Sequence, residues 1–190
     1  MYDNKSEMIL SVYAIPNQTI QILPRNFVWE IPDEIWDEPI YIDRDQIEFS
    51  EGIITINEPG EYDISGTISF FVVNRSSEIV HGNALLRFIN GDIIDKDNYT
   101  INEILQTTYI PGTIFPQQRL EIPPFPIKLT LSFNVKYILC CNDIRDGNNT
   151  FAPQYMFENF LYPDEEWPEG LSVSRDTFNV QTFMNVVKIK

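Results

Sequence analysis

Residues 53–73, IITINEPGEYDISGTISFFVV, constrain the fold more than any other stretch of the chain. Pro59-Gly60 punctuates them: proline fixes one φ angle and glycine accepts a positive φ at no steric cost, so a tight turn is expected between two strands. After the turn the side chains alternate. Tyr62, Ile64, Ile68 and Phe70 fall on one face with Gly66 among them, and Glu61, Asp63, Ser65, Thr67 and Ser69 fall on the other. A period of two held for this long means a half-buried strand, and the rest of the chain reads as further strands to pack on it.

The rest of the chain supplies strands in plenty. Phe and Tyr number 13 and 9, while alanine occurs only at Ala14, Ala84 and Ala152. Strong β formers in place of the best helix former favour an all-β domain. Segments 7–23 (broken at Pro16-Asn17), 46–49 with 52–57, 83–90, 98–101, 104–110, 117–122, 127–139 and 177–189 read as strands. Asn90-Gly91 and Pro111-Gly112 read as tight turns. A helix of about a turn and a half is possible at 32–37, and another is expected near 154–161, where Tyr155, Phe157 and Leu161 sit. The switch of apolar parity between Val180 and Phe183 suggests a β-bulge. Many short strands with turn signals between them describe a two-sheet antiparallel sandwich or jelly roll, spanning 1–190 as a single domain with long insertions at 24–45 and 142–176.

Composition narrows the function. Lys and Arg number 13 against 28 Asp and Glu, a net charge of −15. Such a chain repels phosphate backbones and anionic lipid, which argues against nucleic-acid and membrane-surface partners. Cys140 and Cys141 are adjacent and are the only cysteines, which makes no disulfide framework; two buried or half-buried thiols in a reducing compartment are expected. With His81 the only histidine, expected in a polar loop at 74–82, no zinc site can be assembled. No apolar run suits a signal peptide or approaches the roughly 20 residues that span a bilayer, so folding in the cytoplasm is expected.

No catalytic constellation is visible: His81 has no nucleophile or orienting acid near it in sequence, the cysteines lack a base, and no glycine-rich phosphate loop occurs. No cofactor or resident metal is expected. The runs Asp92–Asn98 and Asp143–Asn149 offer oxygen ligands without the spacing of a calcium loop. Trp36-Asp37-Glu38 and Asp164-Glu165-Glu166-Trp167 place tryptophan among acids. Trp36 and Trp167 are therefore candidates for binding a carbohydrate or protein partner, for capping the core or for sealing an interface between copies.

At residues 53–73 the sequence resembles the C1q/TNF-like jelly rolls. Pro59-Gly60-Glu61-Tyr62-Asp63-Ile64-Ser65-Gly66, followed by Ile68-Ser69-Phe70, fits the family's turn and long alternating strand, and Leu85 to Asn90-Gly91 is similar to its next hairpin. The resemblance implies a jelly roll that forms tight homotrimers around a threefold axis. It would place Asp63, Ser65, Thr67, Phe71 and Val73 on the face turned to that axis. Such modules serve as receptor ligands, as heads on collagen-like stalks and as heads or decorations on phage fibres. Combined with an acidic, Ile- and Asn-rich composition, the resemblance points to a non-enzymatic virion component. The closest fit is a trimeric head-fibre or capsid-attached protein of a tailed bacteriophage, of the crAss-like type, contacting other virion proteins. The alternative is a head domain that binds a host glycan or receptor.

Overall fold

The computed structural model describes residues 6–15, 20–22, 28–76, 79–114, 127–158, 171–175 and 182–189. In chain order the elements are β1 (Glu7–Tyr13), β2 (Ile20–Ile22), β3 (Tyr41–Ile42), β4 (Ile47–Ser50), β5 (Ile53–Ile56), β6 (Gly60–Asn74), β7 (Val80–Ile93), β8 (Tyr99–Ile114), β9 (Ile127–Leu139), α1 (Cys141–Arg145), β10 (Thr150–Glu158), β11 (Leu171–Arg175) and β12 (Phe183–Lys188). Among the described residues they form a seven-stranded and a five-stranded sheet. Every pairing between them is antiparallel.

The larger sheet is built on β6. One edge of β6 pairs with β9 from Gly60↔Leu139 to Val72↔Ile127. The other edge is shared: β12 runs along Tyr62–Thr67 and β11 along Phe71–Asn74. Beyond them β1 pairs with β12 and β2 with β11. So β11 and β12 fill one column of the sheet, and β1 and β2 the next. The smaller sheet runs β4-β5-β10-β7-β8. Leaving aside the short edge strands β3 and β4 and counting the other columns in chain order, the first, last, third and sixth lie side by side in one sheet, and the second, seventh, fourth and fifth in the other. That double Greek-key order is a jelly roll. The turn at Pro59 thus carries the chain from one sheet to the other rather than closing a hairpin.

The alternation in β6 is realised. Tyr62, Ile64, Ile68 and Phe70 are all fully buried. Rings fill the space between the sheets: Phe88 stacks on Phe133 (centroids 4.6 Å apart) and lies 6.2 Å from Phe151, while Phe70 meets Tyr155 and Phe157, each at 5.2 Å.

Several expectations are corrected. The helix expected near 154–161 is absent as far as Glu158: Thr150–Glu158 is a strand, buried on both faces, and 159–161 lie outside the described residues. Its inward side places Phe151, Tyr155 and Phe157 in the main core, and Ala152 joins a second apolar cluster with Ile31, Ile53, Ile89 and Ile93 outside the sheet. With both faces apolar, the period-two signal disappears. Pro153 is tolerated because β5 reaches only Thr150 and Phe151. Tyr155 turns its N–H toward the side β5 leaves open and bonds Glu30 there, and Pro153, two residues earlier, directs its missing donor the same way.

Asn90-Gly91 is not a turn. It lies inside β7, where the register with β8 shifts at Phe88/Ile89 and again at Asn90/Gly91. Asn90 is fully buried, and its Nδ2 donates to the carbonyls of Asn148 (2.6 Å) and Thr150 (3.2 Å). Pro111-Gly112 likewise lies within β8, opposite Asn83 and Gly82, so the two short strands expected there are one. His81 sits within β7, paired with Thr113, not in a loop. Cys140 and Cys141 are exposed rather than buried, because they start α1 at the turn between β9 and β10.

The stretch 24–45, expected as an insertion, works as a strap where it is described. Glu30 exchanges backbone hydrogen bonds with Tyr155 in β10, whereas Ile35 and Asp37 bond Ile15 and Tyr13 beside β1. No helix forms at 32–37; Glu34 and Ile35 make a turn. Segment 142–176 contributes β10 and β11 to the two sheets. The expected strand at 117–122 lies outside the described residues, as do 180 and 181 of the expected bulge between Val180 and Phe183.

Lys188 ties one end of the sandwich together. Its Nζ donates to Gln46 Oε1 (2.8 Å) and pairs with Glu58 Oε2 (2.5 Å), while Tyr62 Oη donates to the Glu58 carbonyl (2.7 Å). Burial alone would lower the Lys188 pKa, but the Glu58 hydrogen bond, Tyr62 and the Glu58 charge together raise it. Burial raises that of Tyr62. Both groups hold their protons more tightly folded than unfolded, so stability falls as pH rises above about 10. Thermal unfolding from pH 7 to 11 should show this slope, shallower in Lys188→Met; an equal slope in both would dismiss the link.

Candidate assembly face

The register places the five candidate residues on one outer face of the seven-stranded sheet. Asp63 lies between Lys136 of β9 and Val187 of β12, Ser65 between Asn134 and Asn185, and Thr67 between Ser132 and Phe183. Phe71 pairs with Lys128 and Ser174, and Val73 with Ser172. Phe71 is buried and the other four are half-buried.

The chemistry of this face changes along β6. Asp63 beside Lys136 puts charge at one end, and Lys128 beside Phe71 at the other. Between them, apart from the Phe183 ring beside Thr67, the side chains are hydroxyls and amides. Thr67 Oγ1 and Ser132 Oγ are 2.9 Å apart, and Ser69 Oγ and Thr130 Oγ1 3.0 Å. The Ser69 N–H donates to Thr182 Oγ1 at 3.0 Å. Asn185 Oδ1 is buried with no hydrogen-bond partner. In a chain that is 22% charged, the centre of this face carries no charge. Hydroxyl pairs that already satisfy one another can be covered at little cost, whereas covering an unpaired charge is expensive.

Next to the face lies the edge formed by β8 and β9. Gln106 Oε1 accepts the Asn134 N–H (2.8 Å), and Thr108 Oγ1 donates to the Ser132 carbonyl (2.9 Å), so side chains of β8 occupy part of the free edge of β9. An edge treated this way is blunted against open-ended strand pairing. It still exposes large apolar groups: Tyr109 is 64% exposed, Ile104 48% and Ile138 68%.

The tryptophan candidates separate. Trp36 is only 7% exposed and meets Phe49 edge-on with ring centroids 6.1 Å apart, so it caps the core instead of standing free on a loop. Trp167 lies outside the described residues. The half-exposed tryptophan is Trp29, over which the Arg87 guanidinium stacks at 4.1 Å. Sequence gave no reason to prefer it, because its partner is 58 positions away and is brought there only by the strap (87 less 29).

In the two acidic runs, carboxylates are already engaged. Asp95 Oδ1 accepts the N–H groups of Asp97 and Asn98, and Asp143 Oδ2 that of Cys140. Among the described residues no three metal-capable side chains converge, and no helix is long and apolar enough to cross a membrane.

No protein-family model matches the chain, and no curated protein does. Among solved structures, Eiger TNF from S. frugiperda is similar, with a TM-score of 0.50 over 97% of this chain and 94% of that one, at 11% identity. The fold is a TNF-like jelly roll. At that identity the likeness carries the architecture and leaves side-chain roles to be argued from this chain, and the TNF-like sandwich here presents two candidate surfaces, the uncharged sheet face and the β8–β9 edge.

Proposed function

We propose that this chain is a non-enzymatic structural module that assembles as a homotrimer. The β8–β9 edge of one copy packs on the outer face of the seven-stranded sheet of the next. The observation that carries this reading is the uncharged centre of that face, set in a strongly acidic chain. Edge and face are different surfaces, so the contact is heterologous and must close into a ring to remain finite; three copies make the smallest ring beyond a dimer. Ile104 and Ile138 supply the apolar groups such a contact buries.

Light scattering at micromolar concentration tests it. The expected mass is three times 22.2 kDa. Ser65→Glu, which sets a charge at the centre of the face, is expected to shift the species to monomer while far-UV circular dichroism stays unchanged. A monomeric wild-type protein would rule the trimer out.

The place proposed for the module is a virion, as a head-fibre or capsid-attached component of a tailed phage. Its support is compositional, the acidic, Ile- and Asn-rich chain, together with a fold suited to act by shape. Mass spectrometry of purified virions decides this step independently of the oligomeric state.

A further inference from the structure

The outer face of the five-stranded sheet, opposite the proposed assembly face, carries a cation without a counter-charge. Arg87 of β7 stands beside Gln154 of β10, and its Nε donates to Gln154 Oε1 at 2.7 Å. The Trp29 ring lies under its Cζ at 4.1 Å. These two contacts fix the guanidinium and leave the end of its fork, Nη1 and Nη2, without a partner among the described residues. Glu30, next to Trp29 in the chain, and Glu158 of β10 make bonds of their own: Glu30 Oε2 accepts from Tyr155 Oη (2.9 Å), and Glu158 Oε2 from Asn83 Nδ2 (3.2 Å). Burial lowers the Arg87 pKa, with no carboxylate among the groups acting on it. Behind the arginine, Gln154 is fully buried, and its Nε2 donor is unpartnered. An unpaired arginine is unexpected where acids outnumber bases 28 to 13.

An aromatic platform stands beside it. Tyr109 of β8, 64% exposed, faces the half-buried Leu85 in register, and Arg87 faces Thr107. Tyr109 and Arg87 are therefore diagonal neighbours on one sheet face, about 7–8 Å apart at their backbones. That span matches one sugar ring with its apolar face on the tyrosine and a carboxylate on the arginine fork.

We propose that Arg87, held by Gln154 and Trp29, and Tyr109 form a binding site for an acidic saccharide. Arginine recognises a carboxylate through two parallel N–H···O bonds, and an exposed aromatic ring takes the C–H face of a sugar. A peptide is the poorer occupant: Arg87 lies on β7, an inner strand whose backbone groups are used in the ladders with β10 and β8, so beside the arginine a peptide main chain finds no strand edge to pair with. The site lies on the face opposite the assembly surface and does not depend on the trimer.

The test is calorimetric and NMR titration of the full chain with methyl glucuronide, with methyl glucoside (the same ring without the carboxylate) and with the acidic dipeptide acetyl-Glu-Glu-amide. The glucuronide is expected to bind with a Kd on the order of 1 mM, the glucoside at least about tenfold more weakly. Arg87→Gln is expected to remove that difference, and Tyr109→Ala to weaken both sugars. Tyr109 is exposed, so its variant keeps the test alive if Arg87→Gln impairs folding. Absence of glucuronide binding, equal affinity for the two sugars, unchanged binding in both variants, or tighter binding of the dipeptide would each overturn the proposal.

Discussion

Gly91→Ala is expected to destabilise the fold by about 3 kcal/mol or more, or to prevent folding. The added Cβ would be driven into the carbonyl oxygen of Thr100 and come within 2.9 Å of the Asn102 nitrogen. Both obstacles are backbone, so neither can move aside as a flexible side chain would. Gly91 sits where β7 and β8 slip register, and a bulge of this kind uses glycine for close approach of two chains. The neighbouring Asn90 amide, bonded to Asn148 and Thr150, holds the same point from the other side. Gly147→Ala is the natural control. It has nothing within 4 Å of its added Cβ and only a positive φ of 77° to oppose it, a cost of about 1–2 kcal/mol. Urea unfolding of the two variants compares them, and a Gly91 variant no less stable than the Gly147 variant would refute the close-approach argument.

The second large effect is expected at Phe88. Its ring is fully buried, stacked on Phe133 with planes 10° apart, and it also lies parallel to Phe151 at 6.2 Å. It comes from the five-stranded sheet and Phe133 from the seven-stranded one, so the contact joins the two layers. Phe88→Ala removes that contact and leaves a cavity neither sheet can close, for about 3–5 kcal/mol. Phe88→Leu, which keeps most of the volume, is expected to cost less than about half as much. The measurement is the shift in urea midpoint at constant slope; equal losses in the two variants would show that lost ring stacking, not the cavity, dominates.

How much of this could be read before the structure depends on which side of a strand is covered. β6 and β9 have one apolar face, and their alternation located them to within a residue or so. β10 is covered on both sides, by the core and by the cluster around Ile31, so Phe151-Ala152-Pro153-Gln154-Tyr155 shows no alternation and reads as irregular chain leading to a helix. Asn90-Gly91 misled for a related reason. The pair is a strong local turn signal, but here glycine serves a bulge and asparagine a buried amide, both set by partners distant in sequence. The face with Asp63, Ser65, Thr67, Phe71 and Val73 followed from parity alone. Arg87 with Trp29 did not, since nothing short of the tertiary pairing of β7, β10 and the strap brings them together.

The column that β12 fills has a temporal consequence. Residues 183–188 lie between β6 and β1, so these two strands are joined in the sheet only when the last strand in chain order arrives between them. During synthesis β6 can gain β9 along one edge and β11 beside Phe71–Asn74, yet Tyr62–Thr67 stay bare on the other edge and β1 stays unpaired on that side. Non-local pairings of this kind are slow to form, and unpaired edges are the surfaces through which partly made chains associate wrongly. Seating Phe183–Lys188 is then the last move in closing the larger sheet, and ribosome-stalled chains ending before Phe183 should remain open to protease throughout β1.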